Sequence, residues 1–158
     1  MTVPHKVDQT IFQTDSQRNG NCFAACVASA LGKQLADVPH FVEWGQHLHN
    51  SEARDDHDPD LRHWWGMFLG YCFALDLWPQ ELATLDEAGE GEVVFIAGPS
   101  PRGAHHQVLY RDGALWHDPH PSRAGLTSIT EIFVLRAVPT AGHDHHPSES
   151  AARAREAS

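Results

Sequence analysis

Gly20-Asn21-Cys22-Phe23-Ala24-Ala25-Cys26-Val27-Ala28-Ser29-Ala30-Leu31-Gly32 is where the chain first takes on a regular period. Cys22, Phe23, Cys26, Val27, Ala30 and Leu31 recur at helical spacing, and Ala24, Ala25 and Ala28 are strong helix formers. Asparagine ahead of such a run is a good N-cap, and glycine behind it is a good stop. The reading is a short, mostly buried helix with a cysteine in its first position.

Working outward, residues 1–20 are polar and mixed, with one possible short strand near Ile11-Phe12. Asp37-Val38-Pro39 restarts the chain, since proline suits a first helical turn, and predicts a short amphipathic helix from about Pro39 to His49. Residues 50–58 are charged and read as a surface loop. Asp58-Pro59 opens a third helix to about Leu75. Trp64, Trp65, Phe68, Leu69, Cys72 and Phe73 make it apolar nearly all round, which predicts a largely buried helix. Trp64-Trp65 at that spacing reads as core.

The period then changes. Glu92-Val93-Val94-Phe95-Ile96-Ala97 is an apolar run closed by Gly98-Pro99 and predicts a strand. Further strands are expected over His106–Tyr110, Ala114–His117 and Glu131–Val138. Helices first and antiparallel strands after give an α+β domain, with N-terminal helices packed on a C-terminal antiparallel sheet. The domain is placed at residues 1–139. Residues 140–158, rich in His, Ser, Ala, Arg and Glu with almost no large apolar residue, read as a disordered tail.

The chain has 158 residues and is 41% apolar, enough for one domain with a real core. Its net charge of −10 argues against nucleic acid or an anionic membrane surface as the main partner. Three cysteines, Cys22, Cys26 and Cys72, do not make a disulfide framework. No signal-like segment opens the chain, and the stretch Trp64–Leu77 is too interrupted by Gly66, Gly70 and Asp76 for a membrane span. A cytoplasmic protein with free thiols is expected.

Arg111-Asp112-Gly113 joins the second and third expected strands, and its turn decides which side chains share a face. A two-residue loop sets Tyr110 opposite Leu115 and turns Asp118 away from His106. A three-residue loop with glycine at a left-handed position sets His106 opposite Asp118. The three-residue loop is the expectation. Opposed residues on one face have Cβ atoms roughly 4.5–5.5 Å apart, so a carboxylate there can fix an imidazole's tautomer.

These residues carry a recognisable chemistry. A thiol attacks as thiolate, which a helix N-terminus and a neighbouring imidazolium both favour. Cys22 has the first by position, and His106 supplies the second across the fold. Asp118 orients His106, completing the logic of nucleophile, base and orienter. An oxyanion donor beside the Cys22 N–H is also needed, and Gln13 or Gln17 stands just upstream. Blander roles exist for each. Cys22 can be a buried small hydrophobe, as Cys26 and Cys72 are expected to be. His105 is the rival of His106, set on the other face of the strand. Asp118 can cap the turn at Pro119, alone or besides its other role. His117, Asp118 and His120 invite a zinc reading, though the histidines flank a proline turn rather than one helix face.

Gly-Asn-Cys-Phe-x-Ala-Cys-Val-Ala-Ser, then Asp37-Val38-Pro39-x-Phe41, His106-x-Val108-x-Tyr110-Arg-Asp-Gly and His117-Asp118-Pro119-His120-Pro121, together resemble a group of small bacterial and phage proteins. That group is similar to papain-like cysteine peptidases, especially the bacteriocin-leader-processing (double-glycine) branch, and the resemblance covers Gln13 to Val138. It implies a papain-like fold and a catalytic triad of Cys22, His106 and Asp118, followed by Pro119. The branch's glutamine position holds Ser16 here. Gln17 lies nearer the cysteine and Gln13 further off, and Gln13-Thr14-Asp15 looks more like the motif. The function expected is a cysteine-dependent hydrolase, peptidase or isopeptidase-like, acting on a peptide or protein through a thioester, with no metal or other cofactor. An acyltransferase or amidase would use the same triad, a binding protein could use the same scaffold, and a metal-dependent hydrolase could use His117, Asp118 and His120.

Overall fold

The computed structural model describes residues 3–12, 20–45 and 63–139. The chain is α+β. Helix α1 spans Cys22–Leu31 and helix α2 spans His63–Ala74, with a helical turn over residues 41–45 between them. Five strands follow: β1 Leu77–Glu81, β2 Val93–Pro99, β3 His105–Arg111, β4 Ala114–His117 and β5 Glu131–Ala137. They form one antiparallel sheet in the order β1-β5-β2-β3-β4.

β2 lies at the centre of this sheet, which explains its unbroken apolar run: both of its faces are covered. Phe95 points to the helices with Leu109 and Phe133, and there they meet Phe23, Cys26 and Val27 of α1 and Phe68 and Cys72 of α2. The alternate residues Val94 and Ile96 join Val108, Val134 and Leu82 in a second core on the far face. Aromatic rings dominate the first core. Phe23 alone lies edge-on to Phe41, Trp64 and Phe68, while Phe95 and Phe133 stack with centroids 4.6 Å apart. Trp64 and Trp65 are partly buried and pack against this core. α1 lies against β3 and α2 against β1.

α1 has the predicted bounds. Gly32 stops it with a left-handed backbone, φ 63°, and Lys33 N–H closes onto Ala28 O at 2.9 Å. α2 is less buried than expected: Phe73 is 51% exposed and packs beside exposed Trp78. Strand β1 is a correction, because no strand was expected there. Leu77-Trp78-Pro79-Gln80-Glu81 carries a proline and two polar residues, yet pairs with β5 from Leu77↔Ala137 to Glu81↔Phe133. It is an edge strand, where a proline without an N–H is tolerated. The expected strand near Ile11-Phe12 is absent among the described residues. The helix expected to reach His49, the loop at 50–58, the opening of the third helix and the tail from 140 lie outside the described residues, except for the turn at 41–45.

The hairpin differs from expectation in an instructive way. Its loop has two residues, not three: Arg111 pairs with Ala114, and Asp112 and Gly113 between them both have positive φ, 51° and 78°. Two successive left-handed residues make the turn whose twist matches a hairpin. This turn alone would carry Asp118 to the wrong face. A β-bulge restores it. Tyr110 pairs with Leu115 but Leu109 pairs with His117, so Trp116 is the extra residue. Trp116 packs on the helix-side core, and Lys6 and Arg111 each lie 5.8 Å from its ring centroid. One added residue reverses the alternation once more, and Asp118 returns to the face of His106 and Val108.

Candidate active site

The first turn of α1 is built differently from its sequence reading. Asn21 precedes the helix but makes no side-chain cap. Its Oδ1 instead accepts from the backbone N–H groups of Thr10 and Ile11, at 3.0 and 2.9 Å, and its Nδ2 donates to Thr10 Oγ1. Its own N–H donates to Ile11 O. Asn21 is therefore a strut to the N-terminal segment. The first-turn N–H groups of Cys22, Phe23 and Ala24 are left without that cap, in the field of the helix N-terminus. Cys22 is half-buried at this end, whereas Cys26 and Cys72 are buried.

His106 and Asp118 come together. His106 Nε2 donates to Asp118 Oδ1 at 2.7 Å, with both residues buried. Asp118 Oδ1 also accepts from His120 N–H at 2.8 Å, and Oδ2 accepts from Gly125 N–H at 2.8 Å. Asp118 thus holds the turn and the imidazole at once. Burial opposes its charge, but the bonds from His106, His120 and Gly125 prevail and hold its pKa down at about 2. Burial likewise opposes the charge on His106. Hydrogen bonding to Asp118 and to Cys22, with the charges of both, outweighs it and raises the imidazole to about 9. His105, on the other face of β3 from His106, is exposed at the start of the strand.

The other two thiols are unsuited to attack. Burial, with the charges of Cys22 and Asp118, pushes Cys26 well above the ordinary thiol range, and its Sγ donates to Gln107 O at 3.5 Å. Burial pushes Cys72 up to about 12.

Among the described residues His117, Asp118 and His120 do not converge as a ligand set. His117 Nε2 donates to Val7 O at 2.7 Å, His120 Nδ1 meets Ser122 Oγ at 2.8 Å, and Asp118 is engaged by His106. No group of three or more metal-ligating side chains converges among the described residues. Gln13 and Gln17 lie outside the described residues.

Several residues around the site carried no sequence signal. Backbone contacts of the N-terminal segment knit α1 to the loop after β4. His5 N–H bonds Ser29 O, Val7 N–H bonds Ser29 Oγ, and Gln9 N–H bonds Pro119 O at 3.1 Å. Gln9 is itself buried, its Nε2 donating to Ile11 O at 2.9 Å. The His120 ring stands edge-on to His106, centroids 6.2 Å apart, and to Phe12 at 5.4 Å. Only the His120 N–H contact was within reach of a sequence reading, because an Asx turn at Asp118-Pro119 places it there.

Compared with family models, with curated proteins and with solved structures, the chain matches none. No helix among the described residues is long and apolar enough to cross a membrane.

Proposed function

We propose that this chain is a cysteine-dependent hydrolase of the papain-like kind, peptidase or isopeptidase-like, with Cys22 as nucleophile, His106 as base and Asp118 as orienter. One observation carries the reading. A buried imidazole on β3 is held by a carboxylate at 2.7 Å, and a half-buried thiol stands at the start of α1, the helix packed against that strand. Because the carboxylate accepts, Nε2 bears its proton, and Nδ1 is the nitrogen left to exchange a proton with the thiol.

In the proposed reaction the Cys22 thiolate attacks a carbonyl carbon of a peptide or protein substrate. The carbonyl oxygen takes up the displaced electron pair, facing the first-turn N–H groups of α1. His106 then gives its proton to the leaving amine as the C–N bond breaks, and a thioester remains. Water, activated by the now neutral imidazole, attacks the thioester and releases the acid and the thiol. An amine in place of water would make the same site an acyltransferase.

The test is alkylation with iodoacetamide at pH 6, with the modified thiols mapped by mass spectrometry. Rapid, selective labelling of Cys22, lost in His106→Ala, is the expected result. Uniform slow labelling of all three cysteines would sink the proposal and favour a binding role.

A further inference from the structure

One charged cluster next to the site has no part in the proposed reaction. Asp8 and Arg123 are 115 positions apart, yet Arg123 Nη1 meets Asp8 Oδ1 at 2.6 Å and Nη2 meets Oδ2 at 2.7 Å. The same Nη1 donates to the backbone carbonyl of Asp118. Arg123 has a left-handed backbone, φ 51°, which a long side chain adopts only when its surroundings demand it. Its N–H closes a turn onto His120 O at 3.0 Å. The residue is therefore fixed to the loop through its backbone and, through its planar fork, to both Asp8 and Asp118.

Asp8 is equally well placed at the other end. Its neighbours Val7 and Gln9 take part in bonds to His117 and Pro119, while residues 10 and 11 are tied to Asn21, directly before Cys22. His117 Nε2 also lies 3.6 Å from Asp8 Oδ1. Both members of the pair are about half exposed, and such pairs add little to overall stability. Their two-pronged geometry, by contrast, constrains where the loop sits.

We propose that the Asp8–Arg123 pair is a positioning device for Asp118, locking the loop after β4 onto the N-terminal segment so that the Asp118 carboxylate stays on His106. Arg123 is thus a positioning residue that acts through Asp118. The inference rests on the reading of His106 and Asp118 as a catalytic pair.

The experiment follows the titration of His106 by NMR in the full chain and in Arg123→Gln, Arg123→Lys and Asp8→Asn. Two roles for Arg123 have opposite signs. A guanidinium acting only as a nearby cation disfavours imidazolium, so its loss would raise the midpoint. A guanidinium that holds Asp118 favours imidazolium indirectly, so its loss lowers the midpoint. The proposal expects Arg123→Gln to lower it by about one pH unit. Asp8→Asn should lower it too, and the double variant should go no further than the larger single shift. An unchanged or raised midpoint in folded Arg123→Gln overturns the proposal. Should that variant not fold, Arg123→Lys decides, because it keeps the charge and loses the fork: a lowered midpoint supports the device and an unchanged one overturns it. Loss of selective Cys22 alkylation in the parent chain would sink the functional reading without touching this titration, so the two failures are distinguishable.

Discussion

His106 bonds Asp118 at 2.7 Å across a hairpin whose two-residue turn, by itself, would have faced them apart. The bulge at Trp116 is what reconciles the two. Deleting Trp116 should leave the turn intact and carry Asp118 to the opposite face. The expected outcome is loss of selective Cys22 alkylation and return of His106 to an ordinary titration. Trp116→Ala, which keeps the residue count, should cost about 1–3 kcal/mol in urea unfolding and leave Cys22 labelling in place.

Asp118→Asn keeps the shape of the side chain and removes its charge. The hydrogen bond to His106 then no longer favours imidazolium, which an adjacent carboxylate typically favours by about 1–3 pKa units. Alkylation of Cys22 at pH 6 should fall at least about tenfold. Breaking a buried charged pair is also destabilising, by roughly 3 kcal/mol, which chemical denaturation would register.

Stability should depend on pH with a sign that each residue sets separately. His106 is raised from 6.5 to about 9, so its contribution is complete below the ordinary value and is lost as pH rises through about 9. Asp118 is lowered from 3.8 to about 2, so its contribution is complete above the ordinary value and is lost as pH falls through about 2. The pair therefore stabilises most between these two ordinary values. Urea midpoints measured from pH 4 to 10 should decline above about 6.5, and His106→Gln should flatten that decline.

Asn21→Ala tests the strut. Because Asn21 does not cap α1, the change should loosen the N-terminal segment more than the helix. Hydrogen exchange is expected to speed up at Thr10 and Ile11, with the interior of α1 unchanged. The cost should be about 1–3 kcal/mol, since two backbone donors lose their acceptor.

Gly98 faces Ser128 so closely that an added Cβ would lie 2.0 Å from the Ser128 carbonyl oxygen. Gly98→Ala should force the loop before β5 outward. Because Gly98 pairs with His106, the same variant should broaden the His106 resonance, and it should lower the unfolding midpoint.

What could be read from the sequence was whatever the chain states locally. α1 is announced by its alanines and closed by Gly32, and β2 by an apolar run that only a strand covered on both faces would carry. The candidate triad was legible because each member sits in a short, distinctive setting. β1 was not, since Pro79 and two polar residues conceal a strand that exists by pairing with β5. The bulge was not legible either, because nothing in Ala114-Leu115-Trp116-His117 marks one residue as extra, and without it only a three-residue turn sets His106 and Asp118 on one face. Asp8 and Arg123 are ordinary surface residues in sequence, and only the folded chain brings them together.

The strap formed by residues 5–11 also bears on the order in which the chain is made. Val7 finds His117 across 110 positions, and Asp8 finds Arg123 across 115. During synthesis Cys22 emerges with α1 well before either partner exists. The candidate site of Cys22, His106 and Asp118 is therefore complete only once the hairpin and the loop after it have been made, so topology makes its assembly a late event.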